Sequence, residues 1–99
     1  MIHRLATYKV RDEKITEARE ALAKFVKTTR EQGPRDMEIS IFCEHDGLTH
    51  HHYSSFPDEQ TSALHGNSVY FADFWEVLYE CCETFSQSVE LESLHTITT

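Results

Sequence analysis

The chain has 99 residues, enough for one domain spanning 1–99; at this size roughly 65% of the surface of the unfolded chain is buried, so the core is modest. Seventeen acidic against nine basic side chains give a formal charge of −8, which argues against nucleic acid and anionic membrane surfaces as partners. A hydrophobic content of 39% excludes a disordered chain, and no apolar run approaches the ~20 residues of a membrane span.

The first segment, Ile2 to Val10, alternates and reads as a strand with Ile2, Arg4, Ala6, Tyr8 and Val10 on one face. It lacks the apolar core of a signal peptide. A polar turn follows, with Asp12 as candidate N-cap. Ile15, Ala18, Leu22, Phe25, Val26 and Thr29 then fall on one helical stripe, which Gly33-Pro34 ends.

Met37, Ile39, Ile41 and Cys43 alternate with polar residues and Phe42, a strand pattern. Asp46-Gly47 suits a two-residue type I′ turn into a partner strand ending at Phe56. That turn pairs Ile41 with His52, Ile39 with Ser54 and Met37 with Phe56. Leu5, Phe42, His51 and Tyr53 then share the opposite face.

Pro57-Asp58 opens a short helix, broken at Gly66 to Ser68, and Ser68 is placed to cap the next one. Phe71, Phe74, Trp75, Leu78, Cys82 and Phe85 form the strongest stripe in the chain and predict a helix to Phe85. Ser88 to Ile97 reads as a final strand. The order β-α-β-β-α-β, with the second helix split, is an α+β, ferredoxin-like pattern with an antiparallel sheet. Helices cover one sheet face. The other still shows apolar side chains and calls for a partner, most simply a second copy.

Few segments carry recognisable chemistry. His50 and His52 share a strand face about 7 Å apart, but no third ligand is evident and no HExxH or CxxC spacing exists, so no metal is expected. The three cysteines are odd in number and Cys81-Cys82 are adjacent, which is no disulfide framework; inert burial in a reducing, cytoplasmic setting fits. His65 is either a helix-end histidine interacting with terminal carbonyls or a pocket residue. Tyr70 sits at the edge of the aromatic stripe, Trp75 squarely on it as core, and Asn67 and Ser68 suit turn and cap.

The stretches IHRLATYKVRDEK and TEAREALAKFVKTTREQG, then Phe56, Asp58-Glu59, Leu64-His65 and Ser68-Val69-Tyr70-Phe71, resemble the antibiotic biosynthesis monooxygenase family over nearly the whole chain. The resemblance implies a dimeric α+β barrel, a homodimer joined through the sheet face, with a pocket between sheet and helices. Tyr70 stands where the family often has a histidine, Ser54 where a strand glutamate is common, and Phe56 where tryptophan is common. Haem-degrading relatives tend to place Asn where Tyr8 stands.

Characterised relatives include oxygenases that need no cofactor, because an electron-rich phenolate passes an electron to dioxygen itself. The protein supplies a dry pocket, a base and anion donors. On that analogy the chain is expected to be a cofactor-independent monooxygenase taking a small aromatic or quinol-like substrate and dioxygen. His65 and Tyr70 are the candidate catalytic pair, with Tyr8, Ile39, Ile41, His52, Ser54, Phe56 and Phe74 as substrate-binding candidates. An isomerase or other proton-transfer enzyme using Arg4 as anion donor, and a ligand-binding dimer without catalysis, are the alternatives.

Overall fold

The computed structural model describes residues 1–86 and 88–99. Strand β1 (Ile2–Val10) runs through the middle of an antiparallel sheet, and its alternation sets the two faces. Ala6, Tyr8 and Val10 point under the helices and are buried; Leu5, Thr7 and Lys9 point away. β3 (Thr49–Phe56) lies along one side of β1, with Ala6 opposite His52 and Ile2 opposite Phe56. β2 (Glu38–Cys43) is the edge beyond β3. The other side of β1 takes two short strands, β4 (Cys82–Phe85) against Tyr8 to Val10 and β5 (Val89–Leu91) against His3 to Leu5.

Helix α1 (Ile15–Gln32) presents Ala18 and Phe25 to the sheet. It stops at Gly33, where the N–H bonds back to Thr29 O at 2.8 Å. A Cβ on Gly33 would sit 2.5 Å from Thr29 O and 2.7 Å from Met37 Cε, so only glycine lets the chain turn this closely. Helices α2 (Glu59–Gly66) and α3 (Val69–Cys81) both begin on the expected caps. Asp58 Oδ1 accepts from Thr61 N at 2.8 Å, and Ser68 Oγ accepts from Phe71 N at 3.3 Å. Phe74 and Leu78 of α3 meet Phe25, Tyr8 and Val10 in the core.

The β2–β3 register agrees with the sequence reading: Ile39 opposes Ser54 and Ile41 opposes His52. The connecting turn differs from type I′. Gly47 alone takes positive φ, at 75°, and Gly47 N bonds to Glu44 O at 3.0 Å. Asp46 is instead fixed by accepting Leu48 N and Thr49 N at 2.8 and 2.9 Å. These bonds hold its carboxyl well down, to about 2.

Three other expectations are corrected. Asp12 caps nothing through its side chain; it opens a single 3-10 turn, Asp12–Lys14, ahead of α1. The last helix ends at Cys81, and Cys82 to Phe85 is strand. Cys82 and Phe85 satisfy the helical period, but β1 offers an open edge, and Val10 pairs with Cys82 and Tyr8 with Phe85. The final strand covers only Val89–Leu91, and residues 92–99 form no regular element.

All three cysteines are free, with Cys81 and Cys82 buried at the helix-to-strand junction and Cys43 exposed. Burial, with Cys81 beside it, pushes the Cys82 thiol up to about 11. No described helix is long and apolar enough to cross a membrane.

Candidate active site

β1 and β3 form the floor of a cavity of about 340 Å³, and α1, α2 and the start of α3 form its walls. Strand alternation brings Arg4 and Ala6 from β1 and His52 and Ser54 from β3 to the same floor. Phe25, Phe56, Phe71 and Trp75 supply an aromatic lining, and Ile39 closes one side. His65 enters from the last turn of α2.

Of the residues picked from sequence, His65, Ile39, His52, Ser54 and Phe56 line this cavity. Four do not. Tyr8 is buried beneath the floor and reaches it through His52. Phe74 is core, its ring 4.3 Å from Phe25 and stacked on it. Ile41 faces a neighbouring cleft between α1 and β2. Tyr70 lies outside the cavity wall and meets His65 from behind.

His65 is only 4% exposed. Its Nδ1 lies 2.6 Å from Tyr70 Oη, so the ring turns to a phenol rather than to the carbonyls ending α2. The terminal His65 carbonyl is satisfied separately, by Ser68 Oγ at 2.7 Å. Burial lowers the His65 pKa to about 4, well under the ordinary value, and the ring is neutral at physiological pH. Burial also raises the Tyr70 hydroxyl, with Ser68 opposing in part.

A second imidazole–phenol pair lies in the floor. Tyr8 Oη and His52 Nε2 are 2.8 Å apart. Burial above all, then the neighbouring His50 and His65, lowers His52 to about 4. Burial raises the Tyr8 hydroxyl far above the ordinary phenol value, so it keeps its proton. Among the described residues that hydroxyl has one partner, His52 Nε2, so it donates there. The His52 proton is thereby placed on Nδ1. His50, on the same strand face, stacks on Tyr8 at 5.0 Å and turns its Nδ1 to Leu48 O. No group of three His, Cys, Asp or Glu side chains among the described residues converges as a metal would need.

The sequence reading gave Ser62 no role, placed Phe25 and Trp75 on buried helix stripes and left Glu59 at a helix start. Arg4 Nε donates to Ser62 Oγ at 3.1 Å, while Arg4 Nη2 stands 3.6 Å from Glu59 and 3.8 Å from Glu90. Ser62 is buried on the inner face of α2, where an amphipathic stripe is too short to be recognised. Trp75 lies on both surfaces, edge-on to Tyr8 at 5.9 Å and lining the cavity. Asn67, the residue after α2, also reaches the cavity rim.

No known family's sequence model matches the chain, and no curated protein matches it. Solved structures do. A crystal structure of an antibiotic biosynthesis monooxygenase superposes with a TM-score of 0.85 at 16% identity, covering 96% of this chain and 100% of that one. A conserved protein from Methanosarcina mazei Go1 gives 0.80 at 18% identity over 91% and 89% of the two chains. A protein from Nitrosomonas europaea, provisionally named an antibiotic biosynthesis monooxygenase, gives 0.76 at 16% over 96% and 100%. The chain thus has the ferredoxin-like α+β fold of the antibiotic biosynthesis monooxygenases; at these identities the likeness is one of fold.

Proposed function

We propose that the protein is a cofactor-independent monooxygenase of a small aromatic or quinol-like compound, with the cavity under the helices as its active site. The observation that carries this reading is His65 on the wall of an aromatic-lined cavity, held from behind at 2.6 Å by Tyr70 Oη. An electron-rich phenolate or enolate reduces dioxygen without help from a prosthetic group. What it needs from protein is removal of a proton, stabilisation of the anion and exclusion of water.

The residues divide that work. This role requires the His65 tautomer with its proton on Nδ1, donated to Tyr70 Oη, while the half-buried Tyr70 turns its own proton to solvent; the lone pair is then on Nε2, the ring nitrogen without a described partner. That nitrogen takes the substrate proton. His52 Nδ1–H, held in place by Tyr8, donates to the resulting oxyanion, and Arg4 adds a positive charge at the same floor. Phe25, Phe56, Phe71 and Trp75 hold an aromatic ring by stacking and edge contacts. The pairing with Tyr70 takes the place that a second histidine holds in relatives.

Oxygen uptake with a panel of quinols and anthrones tests the reading. Uptake is expected with wild type, and His65→Ala is expected to slow it by about 10²-fold or more. Full uptake in both His65→Ala and Tyr70→Phe would remove the catalytic assignment.

Arg4, bonded to Ser62 and lining the cavity, favours one second reading: proton transfer on a small oxygenated metabolite. Turnover at the same rate under argon would select it. We further propose that a second copy covers the open sheet face, where Phe42 is 59% exposed beside partly exposed Leu5 and Tyr53. Three free thiols support a reducing compartment.

A further inference from the structure

Behind Phe25 and Ile39 lies a second cleft, of about 350 Å³, which the oxygenase reading does not use. It opens between the C-terminal half of α1 and β2. Val26, Met37 and Ile41 make it apolar. Two other features are out of place in a merely apolar crevice. Thr29 lines it, and Thr29 Oγ1 is buried without a hydrogen-bond partner, the one such side-chain atom among the described residues. A hydroxyl left in that state is unfavourable and marks a wall that the fold has not satisfied from within. Arg30 and Arg35 also line the cleft, and neither forms an ion pair among the described residues.

That pairing of features is selective. The chain carries a net charge of −8 and has carboxylates adjacent in sequence, Glu31 and Asp36, yet both guanidinia at the cleft stay free of them. A guanidinium presents parallel N–H donors that fit a carboxylate or sulfonate, and the net negative charge of the chain disfavours anions that lack an apolar body to anchor them. The turn from Gly33 to Met37, which bears Arg35, is fixed by the Gly33–Thr29 bond and by Asp36 in the left-handed region, at φ 67°. We infer that this cleft is a binding site for a small amphipathic anion. Its apolar body lies along Val26, Met37 and Ile41, and its acid head lies on Arg30 and Arg35. The ligand class is a medium-chain aliphatic or aryl monocarboxylate. The site stands or falls independently of chemistry in the first cavity.

Fluorescence titration with 8-anilino-1-naphthalenesulfonate, and with its uncharged analogue N-phenyl-1-naphthylamine, tests this on the full chain. The sulfonate is expected to bind wild type and to be displaced by octanoate but not by octanol at equal concentration. The double variant Arg30→Glu, Arg35→Glu changes two exposed side chains. It is expected to raise the Kd of the sulfonate at least tenfold and to move that of the neutral dye less than twofold. Val26→Trp, checked for folding by circular dichroism, is expected to weaken both dyes by filling the cleft. A double variant that binds the sulfonate within twofold of wild type overturns the inference, and so does displacement by octanol as readily as by octanoate. Oxygen uptake by the double variant is expected to be unchanged, so failure here and failure of the oxygenase reading are told apart.

Discussion

Two buried histidines, His52 and His65, each face a tyrosine hydroxyl, and each is held neutral to about pH 4. Unfolded, both titrate near 6.5, so between 6.5 and 4 the unfolded chain binds more protons. Stability is therefore complete above about 6.5 and falls as the pH drops toward 4, by on the order of 3 kcal/mol per imidazole at most. Urea unfolding at pH 7.5, 5.5 and 4.5 should show a midpoint that declines across the series; a flat midpoint would contradict neutral burial of these rings. The acid limb of kcat/KM is expected near 4 for the same reason, where a solvated histidine would place it near 6.5. Tyr8→Phe removes the donor to His52 Nε2. It should cost about 1–3 kcal/mol and release the ring to its other tautomer, visible in the nitrogen NMR shifts of His52. From sequence, His65 and Tyr70 stood out together, five residues apart around one helix break, but the bond between Tyr8 and His52 did not. Tyr8 and His52 are 44 residues apart, and only the sheet register brings them together.

Among the elements, the caps of α2 and α3 and the β2–β3 register were legible because local chemistry fixes them: a side-chain acceptor ahead of a helix, an alternating pair of strands around one glycine. Asp58→Ala, which removes the bond to Thr61 N, is expected to cost about 1 kcal/mol of thermal or chemical stability. The end of α3 was not legible. Cys82 and Phe85 fit a 3.6-residue period as well as a strand, and the competition was decided by a distant edge, that of β1. Leu78, 0% exposed on α3 against Val10 and Tyr8, marks how firmly that helix is held. Leu78→Ala should lower the unfolding free energy by about 2–5 kcal/mol in denaturant titration, and a loss under 1 kcal/mol would mean the core relaxes into the gap.

For the molecule as a whole, one sheet face lies under three helices while the other shows Phe42 and its neighbours to solvent. Phe42→Lys is expected to shift sedimentation equilibrium from dimer to monomer with little change in helical circular dichroism. A wild-type chain that sediments as a monomer at high concentration would contradict the proposed pairing. The face was readable from alternation alone; its occupant was not, because exposed apolar area says that something binds and leaves its identity open. The paired thiols where α3 hands over to β4 turn the protein into its own clock. Cys43 is open to any alkylating reagent from the start, whereas Cys81 and Cys82 are sealed beneath the β1–β4 seam, with Cys82 almost wholly protonated at neutral pH. Their labelling therefore waits for that seam to part, and the lag between the first modified thiol and the next two times how often this edge of the sheet unzips.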